Sequence, residues 1–98
     1  MVFEWDTRKA SANQDKHGVS FEEAASVFGD PDALDGPDVG HSGQESRHLR
    51  LGRAATGRVL MVAYTRRRRG DGETIRIISA RRASRTERAA HGPALGQD

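Results

Sequence analysis

The chain has 98 residues and no cysteine, which excludes a disulfide framework and thiolate metal ligands. Hydrophobic residues make up 35% of it and charged residues 31%, and no apolar run approaches the roughly 20 residues that a membrane-spanning helix requires. These values predict one small soluble domain in the cytoplasm, without membrane attachment.

The net charge of +2 conceals two oppositely charged halves. Residues 1–46 contain ten acidic side chains against three basic ones, a balance of −7, whereas residues 47–98 contain thirteen arginines against four acidic residues, a balance of +9. A basic surface made only of arginine suits bidentate contacts with phosphate or carboxylate groups. A GC-rich genome would produce the same bias.

The first elements are predicted from strand formers and capping residues. Val2–Trp5 favours a short strand, and Asp6 is a suitable N-cap for a helix over Thr7–His17. Three residues of this helix are expected to face inward: Ala10, Asn13 and Gln14.

A second helix is predicted after Gly18, which can take the left-handed conformation that ends the first. Ser20 and Glu23 have the spacing of a capping box. Apolar residues at helical spacing then form an inward stripe: Phe21, Ala24, Ala25 and Phe28. Gly29-Asp30-Pro31 ends the helix.

The pattern then changes to that of a sheet. Asp32–Gln44 is predicted to be a loop with one short strand near Leu34. Alternation of apolar and polar residues from Arg47 to Leu51 predicts a half-buried strand, and the apolar run Arg58–Tyr64 predicts the central strand. Arg66–Gly72, which contains four consecutive arginines, is predicted to be a hairpin loop.

The last elements lie within Thr74–Arg88. Its first half is rich in isoleucine and predicts a strand, and Ser84 and Glu87 have capping-box spacing for a final helix that ends at Gly92-Pro93. The fold class is therefore α+β: a strand, two helices, an antiparallel three-stranded meander and a C-terminal helix, with the helices on one face of one sheet. Residues 1–92 form one domain, and residues 93–98 are expected to be a disordered tail.

The start of the final helix is a candidate anion site. Five arginines flank it in a stretch of thirteen residues: Arg76, Arg81, Arg82, Arg85 and Arg88. A helix N-terminus beside several guanidinium groups favours a bound anion. A solvated, arginine-rich edge without a ligand is the alternative, and the residues alone do not decide between the two.

Several segments together resemble the BrnT family. They are Phe3-Glu4-Trp5-Asp6, the block Lys16–Ala24 (KHGVSFEEA), Asp30-Pro31, the block Ile75–Ala83 (IRIISARRA) and Glu87-Arg88. These matches extend over about residues 2–91 in the order and spacing of the family, whose members are ribonuclease toxins of bacterial type II toxin–antitoxin systems.

The resemblance implies a RelE-like fold, an RNA substrate, a contact with the ribosome as one option, and neutralisation by a BrnA-type antitoxin with a ribbon-helix-helix DNA-binding part. No cofactor is expected. The resemblance also favours Arg53 and Arg81, each at the end of a predicted strand, as catalytic residues.

RNA cleavage needs donors for the phosphate oxygens and groups that transfer protons. His48 and Tyr64 are the further catalytic candidates, whereas Glu87 and His17 are expected to have capping or packing roles. The candidate substrate-binding residues surround the last helix start: Arg76, Arg82, Ser84, Arg85 and Arg88.

No set of His, Asp and Glu has the spacing of a metal site, so the expected reaction is metal-independent. The competing hypothesis is a non-catalytic basic module that binds nucleic acid or an acidic protein partner, because binding and catalysis need the same positive surface.

Overall fold

The computed structural model describes residues 1–41, 46–70 and 72–92. The helices are α1 (Thr7–His17), α2 (Phe21–Ser26) and α3 (Arg85–His91), and the strands are β1 (Val2–Glu4), β2 (Leu34–Pro37), β3 (His48–Arg53), β4 (Val59–Arg69) and β5 (Gly72–Arg82). Short 3-10 turns follow α2 and β2. The end of the predicted Asp32–Gln44 loop and the predicted tail lie outside the described residues.

One sheet contains all five strands in the order β1-β5-β4-β3-β2. β1 runs parallel to β5, and the other neighbours are antiparallel. The predicted antiparallel meander corresponds to β3, β4 and β5, and the short strand predicted near Leu34 is β2, which extends the sheet by pairing with β3 from Leu34 opposite Leu51 to Pro37 opposite His48. The predicted mixed α and β architecture is confirmed.

The prediction of a loop over Arg66–Gly72 is wrong. The four arginines continue β4, and the ladder with β5 extends as far as Arg69 opposite Gly72. The hairpin turn contains Gly70, whose φ of 58° requires the left-handed conformation that glycine adopts easily. This part of the ladder tolerates its charges for two reasons. Successive side chains of a strand point to opposite sides of the sheet, and Arg66 forms an ion pair with Glu73 at 3.0 Å.

The main core lies between the sheet and helices α1 and α2. Phe21 and Ala24 of α2 are fully buried against alternate residues of β4. The strand residues of this core are Leu60, Val62 and Tyr64 from β4 and Ile75, Ile77 and Ala80 from β5. We call this side of the sheet the helix face, and the opposite side the second face.

Both predicted caps of α1 are confirmed. The Asp6 carboxylate accepts hydrogen bonds from the N–H groups of Arg8 and Lys9, and Gly18 has a φ of 68°. At α2 only half of the predicted capping box has its expected geometry. The Ser20 hydroxyl accepts the Glu23 N–H, but the Glu23 carboxylate pairs with Arg58 and Thr56.

A smaller apolar cluster of Leu51, Val59 and Ala83 lies on the second face, with Met61 packed against it. Near it, the buried side chains of His91 at the end of α3 and Asp30 after α2 are 2.8 Å apart. This contact ties the last helix to the first half of the chain. No helix among the described residues is long and apolar enough to cross a membrane.

Asn13 joins α1 to the sheet. Its side-chain Nδ2 donates to the carbonyls of Val19 (3.0 Å) and Ala80 (2.9 Å), and its Oδ1 accepts the Ala80 N–H at 3.1 Å. β1 pairs with β5 only at residues 74–76, so the edge of β5 at Ala80 needs another partner. The amide of Asn13 supplies it.

We expect Asn13→Ala to lower the free energy of unfolding by about 2–4 kcal/mol, because it leaves three buried backbone groups without a partner. Urea denaturation checks this against Gln14→Ala, an exposed neighbour whose loss should cost less than about 0.5 kcal/mol. Equal effects of the two substitutions would contradict the role of Asn13.

Candidate nucleic-acid interface

A cavity of about 450 Å³ opens on the second face of the sheet. Its floor contains Ala63 and Ser79, which lie opposite each other on β4 and β5 and whose small side chains leave the space empty. Leu49 and Met61 supply an apolar wall. The polar lining residues are His17, Asp38, Arg47 and Arg81.

Arg47 lines this cavity. Its Nε is buried and has no hydrogen-bond partner among the described residues. A buried donor of a charged group is costly to leave unpaired, so this side chain lacks a polar contact that the described residues do not supply. Arg47 precedes β3 by one residue and has the same strand parity as Leu49, which directs it to the second face.

Arg81 is held at the cavity by both carboxylate oxygens of Glu87. Its two terminal nitrogens donate to Glu87 Oε1 and Oε2 at 2.8 and 2.9 Å, while Glu87 Oε1 also accepts the Ser84 N–H. The predicted capping box of α3 is thus confirmed, and it also orients Arg81. The hydrogen bonds from Arg81, followed by those from Ser84, lower the pKa of Glu87 to about 2.

His17 reaches the cavity from the last turn of α1. It lies four residues after Asn13 and therefore on the same side of the helix. Because Asn13 is bonded to Ala80, the neighbour of Arg81, the same contact brings His17 and Arg81 to one cavity.

The other two catalytic candidates, His48 and Tyr64, are on the helix face. They lie opposite each other on β3 and β4, with stacked rings whose centroids are 5.4 Å apart. Tyr64 is buried, and its hydroxyl donates to Asp35 at 2.5 Å. Burial, and then this hydrogen bond, raise the pKa of Tyr64, so the hydroxyl keeps its proton.

Arg53 is on the second face but away from the cavity lining. Arg53 lies opposite Val59 on β4. Arg81 lies opposite Met61, two residues further along the same strand. The Nη1 of Arg53 donates to the carbonyl of Gly57 at 2.8 Å, which stabilises the β3–β4 turn. With strands about 4.8 Å apart, its Cα is about 12 Å from that of Arg81.

The five candidate substrate-binding residues are dispersed. Arg76 pairs with Glu4 at 2.8 Å, and Arg88 donates to the Ala83 carbonyl at 2.8 Å. Ser84 is the N-cap of α3, and Arg82 and Arg85 are exposed. The structure therefore brings only Arg81, of all the predicted site residues, to the cavity.

The sequence alone assigned no site role to Arg47 or His17. Arg47 is two residues before Leu49 and therefore points to the same side of the sheet. This spacing is the signal that could have placed Arg47 beside Ala63 and Arg81. For His17 the signal was its spacing of four residues from an inward-facing Asn13. Among the described residues, no group of three or more His, Asp and Glu side chains could hold a metal ion.

A cavity lined by two arginines and a histidine on a five-stranded sheet suits a protein that binds the phosphate backbone of nucleic acid. The comparisons with known proteins agree with this class. The family model for the ribonuclease toxin BrnT of type II toxin–antitoxin systems matches residues 5–87, and the chain belongs to that family.

The fold is similar to that of a solved member of the family. The 1.1 Å crystal structure of the Brucella abortus ribonuclease toxin BrnT superposes with a TM-score of 0.62 at 22% sequence identity, covering 87% of this chain and 100% of that one. No curated protein matches the chain in sequence.

The contact between Glu87 and Arg81 predicts a pH dependence of stability. Because folding lowers the Glu87 pKa from its usual 4.5 to about 2, its contribution is complete above pH 4.5 and is lost as the pH falls towards 2. We expect Glu87→Gln to cost about 1–2 kcal/mol at pH 7, less than the full shift implies because the pair is partly exposed to solvent.

Urea denaturation at several pH values between 7 and 2 measures this difference. The gap between the two proteins should close with falling pH, whereas Glu22→Gln, an exposed substitution on α2, should stay within about 0.5 kcal/mol of the parent throughout. A pH-independent gap for Glu87→Gln would show that the ion pair does not stabilise the fold.

Proposed function

We propose that the protein is an endoribonuclease toxin that cleaves RNA without a metal ion and thereby inhibits translation and growth. Membership of the ribonuclease toxin family supports the reaction class. The observation that carries the location is the second-face cavity, which is lined by Arg47, by His17 and by Arg81, whose guanidinium is oriented by Glu87.

These three residues match the needs of metal-independent cleavage. In that reaction the 2′-oxygen attacks the neighbouring phosphorus, the bond to the 5′-oxygen breaks, and a 2′,3′-cyclic phosphate and a 5′-hydroxyl result. Arg47 and Arg81 stabilise the charge that develops on the phosphate oxygens, and His17 accepts the proton of the 2′-hydroxyl. Solvent returns a proton to the leaving 5′-oxygen.

The cavity offers positive charge to a phosphate without a metal ion. Two arginines, Arg47 and Arg81, line it together with the carboxylate of Asp38, and their guanidinium groups can take the role that a metal would have in stabilising the phosphate charge.

The finer family expectations follow as proposals. The fold is RelE-like, the protein acts in the cytoplasm on free or ribosome-bound RNA, and a BrnA-type antitoxin neutralises it. An antitoxin that places acidic side chains on Arg47 and Arg81 would block the cavity.

We expect Arg81→Ala and Arg47→Ala each to lower the cleavage rate about 10²–10³-fold, since each removes a donor to the developing phosphate charge. Gel analysis of RNA incubated with purified protein in excess EDTA measures this, and the parent protein should stay active there.

Arg8→Ala is the control, because Arg8 is an exposed arginine on α1 outside the cavity lining. RNA binding without cleavage, in the presence or absence of ribosomes, would contradict the enzyme and support a non-catalytic basic module. Loss of cleavage in EDTA with rescue by a divalent ion would contradict metal independence alone.

The two histidines at opposite faces permit a matched test of the proton-transfer role. We expect His17→Ala to lower the cleavage rate about 100-fold and His48→Ala to change it less than about fivefold, because His48 lies on the helix face against Tyr64. The opposite result would return the role to His48 and Tyr64. Thermal unfolding of both variants excludes a loss of fold as the cause.

A further inference from the structure

The hairpin of β4 and β5 extends beyond the rest of the sheet. β3 begins at His48, opposite Tyr64, so β4 continues for the five residues Thr65–Arg69 without a described strand on that edge. At about 3.4 Å per residue this extension is about 17 Å long. We call Thr65–Arg69, with its pairing partners on β5, the arginine arm.

Arginines occupy both faces of the arm. Arg66 and Arg68 share the parity of Tyr64 and lie on the helix-face side, whereas Arg67 lies on the second-face side. Arg66 and Arg68 are exposed, and the side chain of Arg66 retains 44% of its surface accessible to solvent. Both faces meet at this edge of β4, which pairs with no strand of the described residues, so a chain lying along it is within reach of all three side chains.

The carboxylates near the arm do not neutralise it. Arg66 contacts Glu73 at 3.0 Å in an exposed pair, and Arg67 contacts Glu4 at 3.6 Å in a half-buried one. Exposed ion pairs are worth about 0–1 kcal/mol, so a phosphate can compete with Glu73 for the guanidinium of Arg66. Segment 66–73 contains four arginines against two acidic residues.

Protection of an exposed strand edge is the simpler explanation of these charges. Lysine serves that purpose well, yet the arm has arginine at all four positions, and the planar arginine fork is the better ligand for phosphate. Position also distinguishes the two roles. Arg47, which lines the cavity, immediately precedes His48, the residue at which β3 pairing ends and the arm begins, so the arm starts beside a residue of the cavity.

We propose that the arginine arm is a second RNA-binding site, which holds the backbone of single-stranded RNA outside the cavity without regard to base sequence. This proposal rests on the proposed function, in that the RNA held by the arm is the strand that enters the cavity. The arm lengthens the bound segment, and the protein therefore prefers RNAs longer than the cavity alone accommodates.

The test compares two non-cleavable 2′-O-methyl RNAs, of 4 and 16 nucleotides, by fluorescence anisotropy over a range of salt concentrations. Arg66→Gln/Arg68→Gln removes two charges and keeps side chains of similar length. Arg8→Gln/Lys9→Gln removes two exposed charges from α1 and is the matched control.

We expect the arm variant to bind the 16-mer on the order of tenfold more weakly at 0.1 M salt, with the salt slope smaller by about 1.4, since each single-strand phosphate contact contributes about 0.7. Its affinity for the 4-mer should change less than twofold, and the control should leave both affinities within twofold of the parent.

Equal losses for both RNAs, or the same loss in the control, would reduce the arm to general electrostatic attraction and overturn the proposal. Unchanged affinity of the arm variant for the 16-mer would also overturn the proposal. If that variant lost affinity only for an acidic protein partner, the arm would bind protein and not RNA. Because the probes cannot be cleaved, a length-dependent loss would support the arm even if the cavity proved inactive in the cleavage assay.

Discussion

The side-chain amide of Asn13 connects the parts of the molecule on which the site depends. Its three hydrogen bonds hold α1, the chain at Val19 and the edge of β5 at Ala80 in one arrangement. β5 lacks a strand partner at this point because β1 is short. The same amide therefore completes the sheet edge and places His17 next to the strand that carries Arg81.

The last helix is fixed at both ends by charged contacts with different consequences. At its start, Glu87 caps the helix and orients Arg81. At its end, His91 contacts Asp30, whose pKa is lowered even though burial opposes this, because the N–H groups of Arg53 and Asp32 and the His91 ring donate to it. The first contact serves the cavity, and the second holds the helix against the sheet.

The charge asymmetry of the sequence has a structural explanation. Acidic residues of the first half form ion pairs with arginines of the second half, including Glu23 with Arg58, Asp35 with Arg50 and Glu4 with Arg76. These pairs join the two halves of the chain across the fold. An excess of positive charge remains along segment 66–73, which contains four arginines against two acidic residues.

The sequence by itself determined the local elements: the helix over Thr7–His17 with its caps, the capping box of Ser84, and the alternating strands. Capping and periodicity act within a few residues, so they can be read along the chain. Two features of the fold depended on contacts between distant parts of the chain. Strand pairing decided that Arg66–Arg69 extend β4, because a ladder partner stabilises a segment whose local pattern favours a loop. The register of the sheet decided that Arg81 meets Arg47 and His17 while His48 and Tyr64 lie on the opposite face, because contacts across 30 or more residues have no local signal.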